Sequence, residues 1–264
     1  MLKTAIWQSP ADLAGPEARL AALASILEDA GSLDLLLCPE LFQCGYNAGA
    51  EIAALAEALD GPFAAAVAGL AKQFGCAIAY GFSERAAEGA PFNSAACFGP
   101  DGALLGHRRK SVLPPGPETE LFQPGAGGPC LFRLGGLTVA IVICYEIEFP
   151  ESARSAAMAG ADVLLVPTAI STNWPIVPEK LVPTRAFENG LWLLYANHAG
   201  EENGLNYAGS SCIVAPFGEV AARAGRDPEL IRASIDPGQV ASARKRLPFL
   251  ADRDDLLRDF RRRG

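Results

Sequence analysis

The stretch Leu137 to Glu151, LTVAIVICYEIEFPE, decides how this chain is read. It opens with LTVAIVI, almost all apolar and mostly β-branched, the pattern of a strand covered on both faces. That strand delivers Cys144 at its C-terminal end. Two carboxylates follow, Glu146 and Glu148, and then Phe149-Pro150-Glu151, where proline and an acid suit the first turn of a helix. A thiol at a strand-to-helix corner, near backbone N–H groups, is well placed as a nucleophile. The competing reading is a buried structural cysteine, because free cysteine is among the most buried residue types.

Upstream of this stretch the chain alternates. Leu2 to Trp7 reads as a strand, Gly15 to Ala30 as a helix closed by Gly31, and Asp34 to Cys38 as a short buried strand, which together make a βαβ start. Glu40 stands just past that strand, before the loop Cys44-Gly45-Tyr46-Asn47. Sites in open α/β sheets form outside the carboxyl ends of strands, so Glu40 is a catalytic candidate, with a helix-dipole role as its alternative. Helical segments are expected at Glu51–Leu59 and Pro62–Phe74, and strands at Cys76–Phe82, Asn93–Phe98 and Ala103–Arg109. Pro100-Asp101-Gly102 makes the last two a hairpin. The third strand ends at Lys110, which reads as a functional amine or a solvated edge charge. A proline-rich loop carrying Glu118 and Glu120 follows.

Downstream, Ser152–Gly160 continues the helix and Asp162–Pro167 is another buried strand. A loop through Asn173 and Trp174 leads to a helix around Pro178–Glu188. Leu191–Ala196 is a strand ending at Asn197-His198, and Ser210–Ala215 and Glu219–Arg223 flank the turn Pro216-Phe217-Gly218. Leu230–Ile235 and a helix over Pro237–Lys245 complete the pattern, that of an α/β fold.

Composition narrows the function. A formal net charge of −8 argues against a nucleic-acid partner, and the basic tail Arg258, Arg261, Arg262, Arg263 reads as a solvated terminal run. The longest apolar runs fall far short of a membrane span. The N-terminus lacks the apolar region of a secretory signal, so the protein is read as cytoplasmic. The seven cysteines form no CxxC pair or Cys/His zinc pattern and read as reduced thiols, with no metal expected. A papain-type Cys-His pair finds no support, since His107 and His198 are the two histidines and neither lies in such a motif.

Three strand ends thus offer a carboxylate, an amine and a thiol, in CPELF (Glu40), HRRKSVLPPGPETELFQPG (Lys110) and ICYEIEFPE (Cys144). In this order and context they resemble the nitrilase superfamily of carbon-nitrogen hydrolases. The likeness extends over the GYN loop, GADVLLVP, RAFENGLWLLYANHAG and GSSCIVAPFGE, and within the superfamily it is strongest to aliphatic amidases of small ω-amino amides. The resemblance implies a four-layer α-β-β-α sandwich with two mixed β-sheets, one domain over residues 1–264, and a homodimer or higher homo-oligomer; the tail from about 246, apolar at Pro248-Phe249-Leu250, is expected to dock on a partner subunit. It also implies a small amide as substrate and no cofactor.

The roles carried over are a Cys144 nucleophile whose thiolate Lys110 favours, a Glu40 proton carrier, and an oxyanion held by Lys110 and the Tyr145 N–H. The second glutamate after the lysine matches Glu118, with Glu120 as the alternative. Arg185, Glu188 and Asn189 of RAFEN read as structural. Tyr46, Tyr145, Glu146, Glu148, Asn173 and Trp174 are pocket candidates from their loops, and Glu146 or Glu148 is the natural counter-charge for a substrate amine. The same machinery also fits an N-carbamoyl amidohydrolase or a nitrilase, and a non-catalytic binding protein on this scaffold is the reading from another class.

Overall fold

The computed structural model describes residues 1–263, and the side chains of Phe260, Arg261, Arg262 and Arg263 lie outside what is described. The chain runs β1 (Leu2–Gln8), α1 (Gly15–Ala30), β2 (Leu35–Leu37), α2 (Glu51–Ala54), α3 (Pro62–Phe74), β3 (Ala77–Glu84), β4 (Phe92–Phe98), β5 (Leu104–Arg109), α4 (Pro117–Leu121), β6 (Cys130–Leu134) and β7 (Leu137–Ile141). A 3₁₀ turn (Cys144–Glu148) then precedes α5 (Pro150–Met158) and β8 (Val163–Pro167). A π-turn (Val177–Leu181) leads into α6 (Val182–Asn189) and β9 (Trp192–Ala196). The short ribbon β10 (Glu201–Glu202) and β11 (Leu205–Asn206) is followed by β12 (Cys212–Val214), β13 (Val220–Arg223), β14 (Glu229–Ile235), α7 (Pro237–Arg246) and α8 (Phe249–Arg263).

Two six-stranded sheets form, in the orders β14-β1-β2-β3-β4-β5 and β13-β12-β9-β8-β7-β6. Each has a parallel trio at its centre, β1-β2-β3 in one and β7-β8-β9 in the other, with antiparallel strands on both flanks. Both are therefore mixed. Strand alternation explains the layering. Leu35, Leu37, Ala77 and Ala79 of the first sheet meet Leu137, Val139, Ile141, Val163 and Leu165 of the second in one core between the sheets. The intervening residues point outward, Leu36, Ile78 and Tyr80 onto Leu23, Leu27, Phe63 and Val67 of α1 and α3. Ala140, Leu164 and Leu193 point onto Ala153, Ala157 and Ala186 of α5 and α6. This is the expected four-layer α-β-β-α sandwich.

Local differences from the sequence reading have physical causes. The helix expected over Glu51–Leu59 stops at Ala54, because Glu57 turns to accept the Phe63 and Ala64 N–H groups, both at 3.0 Å, and so caps α3. The buried strand ends at Ile141 rather than at the cysteine, and Cys144 opens a 3₁₀ turn with φ +48°. Strand β6, which the sequence reading did not anticipate, pairs antiparallel with β7 through Gly135-Gly136, both at positive φ. At the apolar start of the tail, the Phe249 ring lies 5.6 Å from that of Phe187 in α6. Among the described residues no helix is long and apolar enough to cross a membrane.

Candidate active site

Glu40 follows β2, Lys110 follows β5 and Cys144 follows β7, and the sandwich brings all three together. Lys110 is fully buried, and its Nζ donates to Glu40 Oε1 at 2.7 Å and to both oxygens of Glu118, at 2.8 and 2.7 Å. All three ammonium protons are thereby engaged. The thiol of Cys144 interacts with the Glu40 carboxylate. Glu40 Oε2 is buried and has no hydrogen-bond partner among the described residues. Of the two glutamates after the lysine, Glu118 is the one in the cluster; Glu120 is exposed.

The backbone around each group is fixed. Lys110 N–H donates to Asn93 O and Gly125 N–H to Lys110 O, both at 2.8 Å. Gly81 of β3 lies against Glu40 so closely that a Cβ there would stand 2.7 Å from Glu40 Cα and 2.3 Å from Leu41 N. The Glu40 carbonyl accepts from His198 Nε2 at 2.8 Å, which leaves Nδ1 to accept from Ser9 Oγ at 3.3 Å. Burial depresses His198 to about 3, so the ring is neutral at ordinary pH.

The electrostatics differ from the sequence expectation in one respect. Burial pushes the Cys144 thiol upward, Glu40 and Glu118 add to the shift, and the opposing pull of Lys110 does not cancel them. The resting sulfur is a thiol and needs a base. Burial also raises the Glu40 carboxyl against the attraction of Lys110, which makes it a stronger base than an exposed glutamate. Burial disfavours the Lys110 cation, but Glu40, Cys144 and Glu118 more than compensate and hold it charged.

Three contributors escaped the sequence reading. Asn93 Nδ2 bridges Glu40 Oε1 at 2.8 Å and Glu118 Oε2 at 3.2 Å. The backbone of Ala169, just past β8, hydrogen-bonds to Cys144 and favours its thiolate. His198 supports the Glu40 backbone. Among these, a polar residue at the end of a strand was the available signal for Asn93 and His198; a backbone group leaves none.

The pocket candidates separate. Tyr46 OH donates to Glu118 Oε1 at 2.6 Å. The Tyr145 N–H lies in the first turn of the 3₁₀ segment, where amides lack intrahelical acceptors, and its ring meets Phe149 edge-on at 5.0 Å. Glu146, a candidate counter-charge, is fully committed elsewhere. Its carboxylate accepts from Arg108 Nη2 (2.5 Å), Ser111 Oγ (2.6 Å), Ser111 N–H (2.9 Å) and Ile143 N–H (2.8 Å), and so ties the Cys144 turn to the segment after Lys110. Burial alone would raise its carboxyl, but Arg108 and these donors hold it low. Glu148 is half-buried and, among the described residues, no side chain pairs with its carboxylate; burial raises it and Lys110 attracts it. Asn173 and Trp174 are not brought to the cluster: both are exposed, Trp174 to 60%. Arg185 caps the turn through the carbonyls of Ile147 (3.1 Å) and Glu148 (2.7 Å), as a structural role requires. Among the described residues no group of three or more His, Cys, Asp or Glu side chains is placed to hold a metal.

Comparison with known proteins follows this geometry. Residues 4–245 match the family described as carbon-nitrogen hydrolase. A protein of Pseudomonas protegens described as a hydrolase in the pqqF 5′ region is 39% identical over 98% of this chain and 91% of its own. An (R)-stereoselective amidase of a Pseudomonas species is 34% identical over 89% and 85%. Among solved structures, a Glu-to-Gln variant of the amidase from Nesterenkonia, showing covalent addition of the acetamide moiety of fluoroacetamide at its active-site cysteine, aligns with TM-score 0.83 at 29% identity, over 98% of this chain and 96% of that one.

Proposed function

This chain belongs to the carbon-nitrogen hydrolase family and is an amidase, and we propose that it hydrolyses small aliphatic carboxamides, ω-amino amides among them, to the acid and ammonia through a thioester on Cys144. The observation that carries this reading is the buried Glu40–Lys110–Glu118 bridge, with the thiol of Cys144 against the Glu40 carboxylate.

In the proposed cycle the sulfur attacks the amide carbon as its proton passes to Glu40, whose burial makes it basic enough to accept it. The carbonyl oxygen becomes an oxyanion beside Lys110 and the Tyr145 N–H. Lys110 turns one proton from Glu118 toward it and keeps the others on the carboxylates. Collapse breaks the C–N bond, and Glu40 returns its proton to the departing nitrogen, which leaves as ammonia. Water then attacks the thioester with Glu40 as base. The acid departs and the proton returns to sulfur. Tyr46 and Asn93 hold Glu118, and Glu118 holds Lys110. Glu148 supplies the counter-charge for an amine on the acyl chain.

The whole chain is read as one hydrolase domain that works as a homodimer in the cytoplasm, where its seven free cysteines stay reduced. Ammonia and acid are to be measured across neutral amides, ω-amino amides, N-carbamoyl amines and nitriles. Equimolar acid and ammonia from the amides are expected, with Cys144→Ala slower by at least about 10³-fold. Turnover confined to N-carbamoyl compounds or nitriles, or an active Cys144→Ala, would overturn the reading.

A further inference from the structure

We propose that Glu202, on the β10–β11 ribbon, is a positioning residue that sets the Tyr46 phenol on Glu118 and through it orients Lys110. The loop carrying Tyr46 is joined to this ribbon through Asn47. Glu202 Oε2 accepts from Asn47 N–H at 2.7 Å and from Tyr207 OH at 2.7 Å. Asn47 Nδ2 donates to the carbonyls of Glu202 (3.0 Å) and Asn203 (3.2 Å), and Asn203 Nδ2 returns a bond to Asn47 O at 2.9 Å.

The other oxygen of Glu202 faces Arg19. Their separation is 3.6 Å, and the Arg19 side chain is only 2% exposed. Arg19 Nη2 also donates to Ala11 O at 3.0 Å, so the cation is fixed from the α1 side. Gly45 is what admits the carboxylate beneath the loop: a Cβ there would fall 2.0 Å from Glu202 Oε1, and φ is +90°. A buried carboxylate with this many donors is costly unless each bond is made. Here the bonds to the loop converge on Asn47, which follows the phenol, while Gly45, which precedes it, leaves room for the carboxylate.

From Tyr46 the path is direct, its hydroxyl on Glu118 Oε1 at 2.6 Å and Glu118 on Lys110 Nζ. Tyr46 also packs with Ala169 and Tyr207 in one small apolar cluster, so tilting the loop moves the phenol. Glu202 touches neither substrate nor the reacting atoms. Its effect on turnover therefore passes through the tyrosine.

The proposal rests on the amidase reading, and the test separates the two. Four proteins are assayed for ammonia release from propanamide: wild type, Glu202→Ala, Tyr46→Phe and the double variant. Absence of turnover of any amide by the wild type fails the functional reading and, with it, this proposal. With an active wild type, Glu202→Ala should lose about 10- to 100-fold in kcat, the scale of a misplaced catalytic group, with a smaller change in KM. In the Tyr46→Phe background the further loss should be under about twofold, because a path already cut cannot be cut again. The same loss in both backgrounds, or an unchanged kcat, would overturn the proposal. Should Glu202→Ala fail to fold, Glu202→Gln, which keeps an acceptor oxygen and loses the charge, enters the same cycle under the same criteria.

Discussion

Glu146 and Glu148 are two residues apart in one turn, yet their carboxylates have opposite fates. Four donors close around Glu146. Glu148 keeps a half-buried carboxylate with no pairing side chain among the described residues, attracted by Lys110. A cation entering the site gains most at Glu148, because a partly desolvated charge without a partner has the most to recover. Replacing Glu148 with Gln should lower kcat/KM for an ω-amino amide by about 10- to 100-fold relative to its neutral isostere, the worth of one hydrogen bond to a charged group. An equal loss on both substrates would remove the counter-charge role. No sequence pattern separates these two acids; the arginine and serine that occupy Glu146 come from a strand end on the other sheet. Glu40, Lys110 and Cys144 were legible because each follows an apolar strand. The upward shift of the Cys144 thiol was not, since it depends on how deeply two carboxylates and the sulfur are buried together.

The strands that carry the site were legible where their apolar runs were long enough to show a period. Strands β10 and β11, of two residues each, fall below any periodicity and are recognisable only from their pairing. β6 hid behind the proline- and glycine-rich loop before it. What neither run length nor turn chemistry conveys is the contact between β3 and the segment after β2, where Gly81 leaves room for Glu40. Gly81→Ala should cost about 1–3 kcal/mol in urea unfolding, as overpacking does, and about 10- to 100-fold in kcat because Glu40 is pushed from Lys110. Gly69→Ala, in the middle of α3 with nothing within 4 Å of its Cβ, is the control and should stabilise by about 0.5–1 kcal/mol. A Gly81→Ala protein with wild-type stability and turnover would mean that the close approach does not constrain the site.

The two halves of the sandwich are alike in sheet order but not in what covers them. No large hydrophobic residue of α1 or α3 is among the exposed ones. On the side of α5 and α6, Phe149, Met158, Trp174, Ile176, Phe187 and Phe249 are all exposed, Ile176 to 55% and Trp174 to 60%. Covering such a face removes apolar surface from water, and a second copy offers the same apolar face in return. Phe149 lies against Tyr145, the residue after Cys144, so this covered face would border the turn that holds the proposed nucleophile. A homodimer, which the family resemblance implies, would cover this face and bury Trp174 in its interface. Sedimentation equilibrium at micromolar concentration should give twice the chain mass. Trp174→Glu combined with Ile176→Glu should shift it toward the monomer and lower kcat, because a loosened interface unsettles the turn that presents Cys144. A monomeric wild type, or a dimer indifferent to both charges, would assign the exposed face some other role.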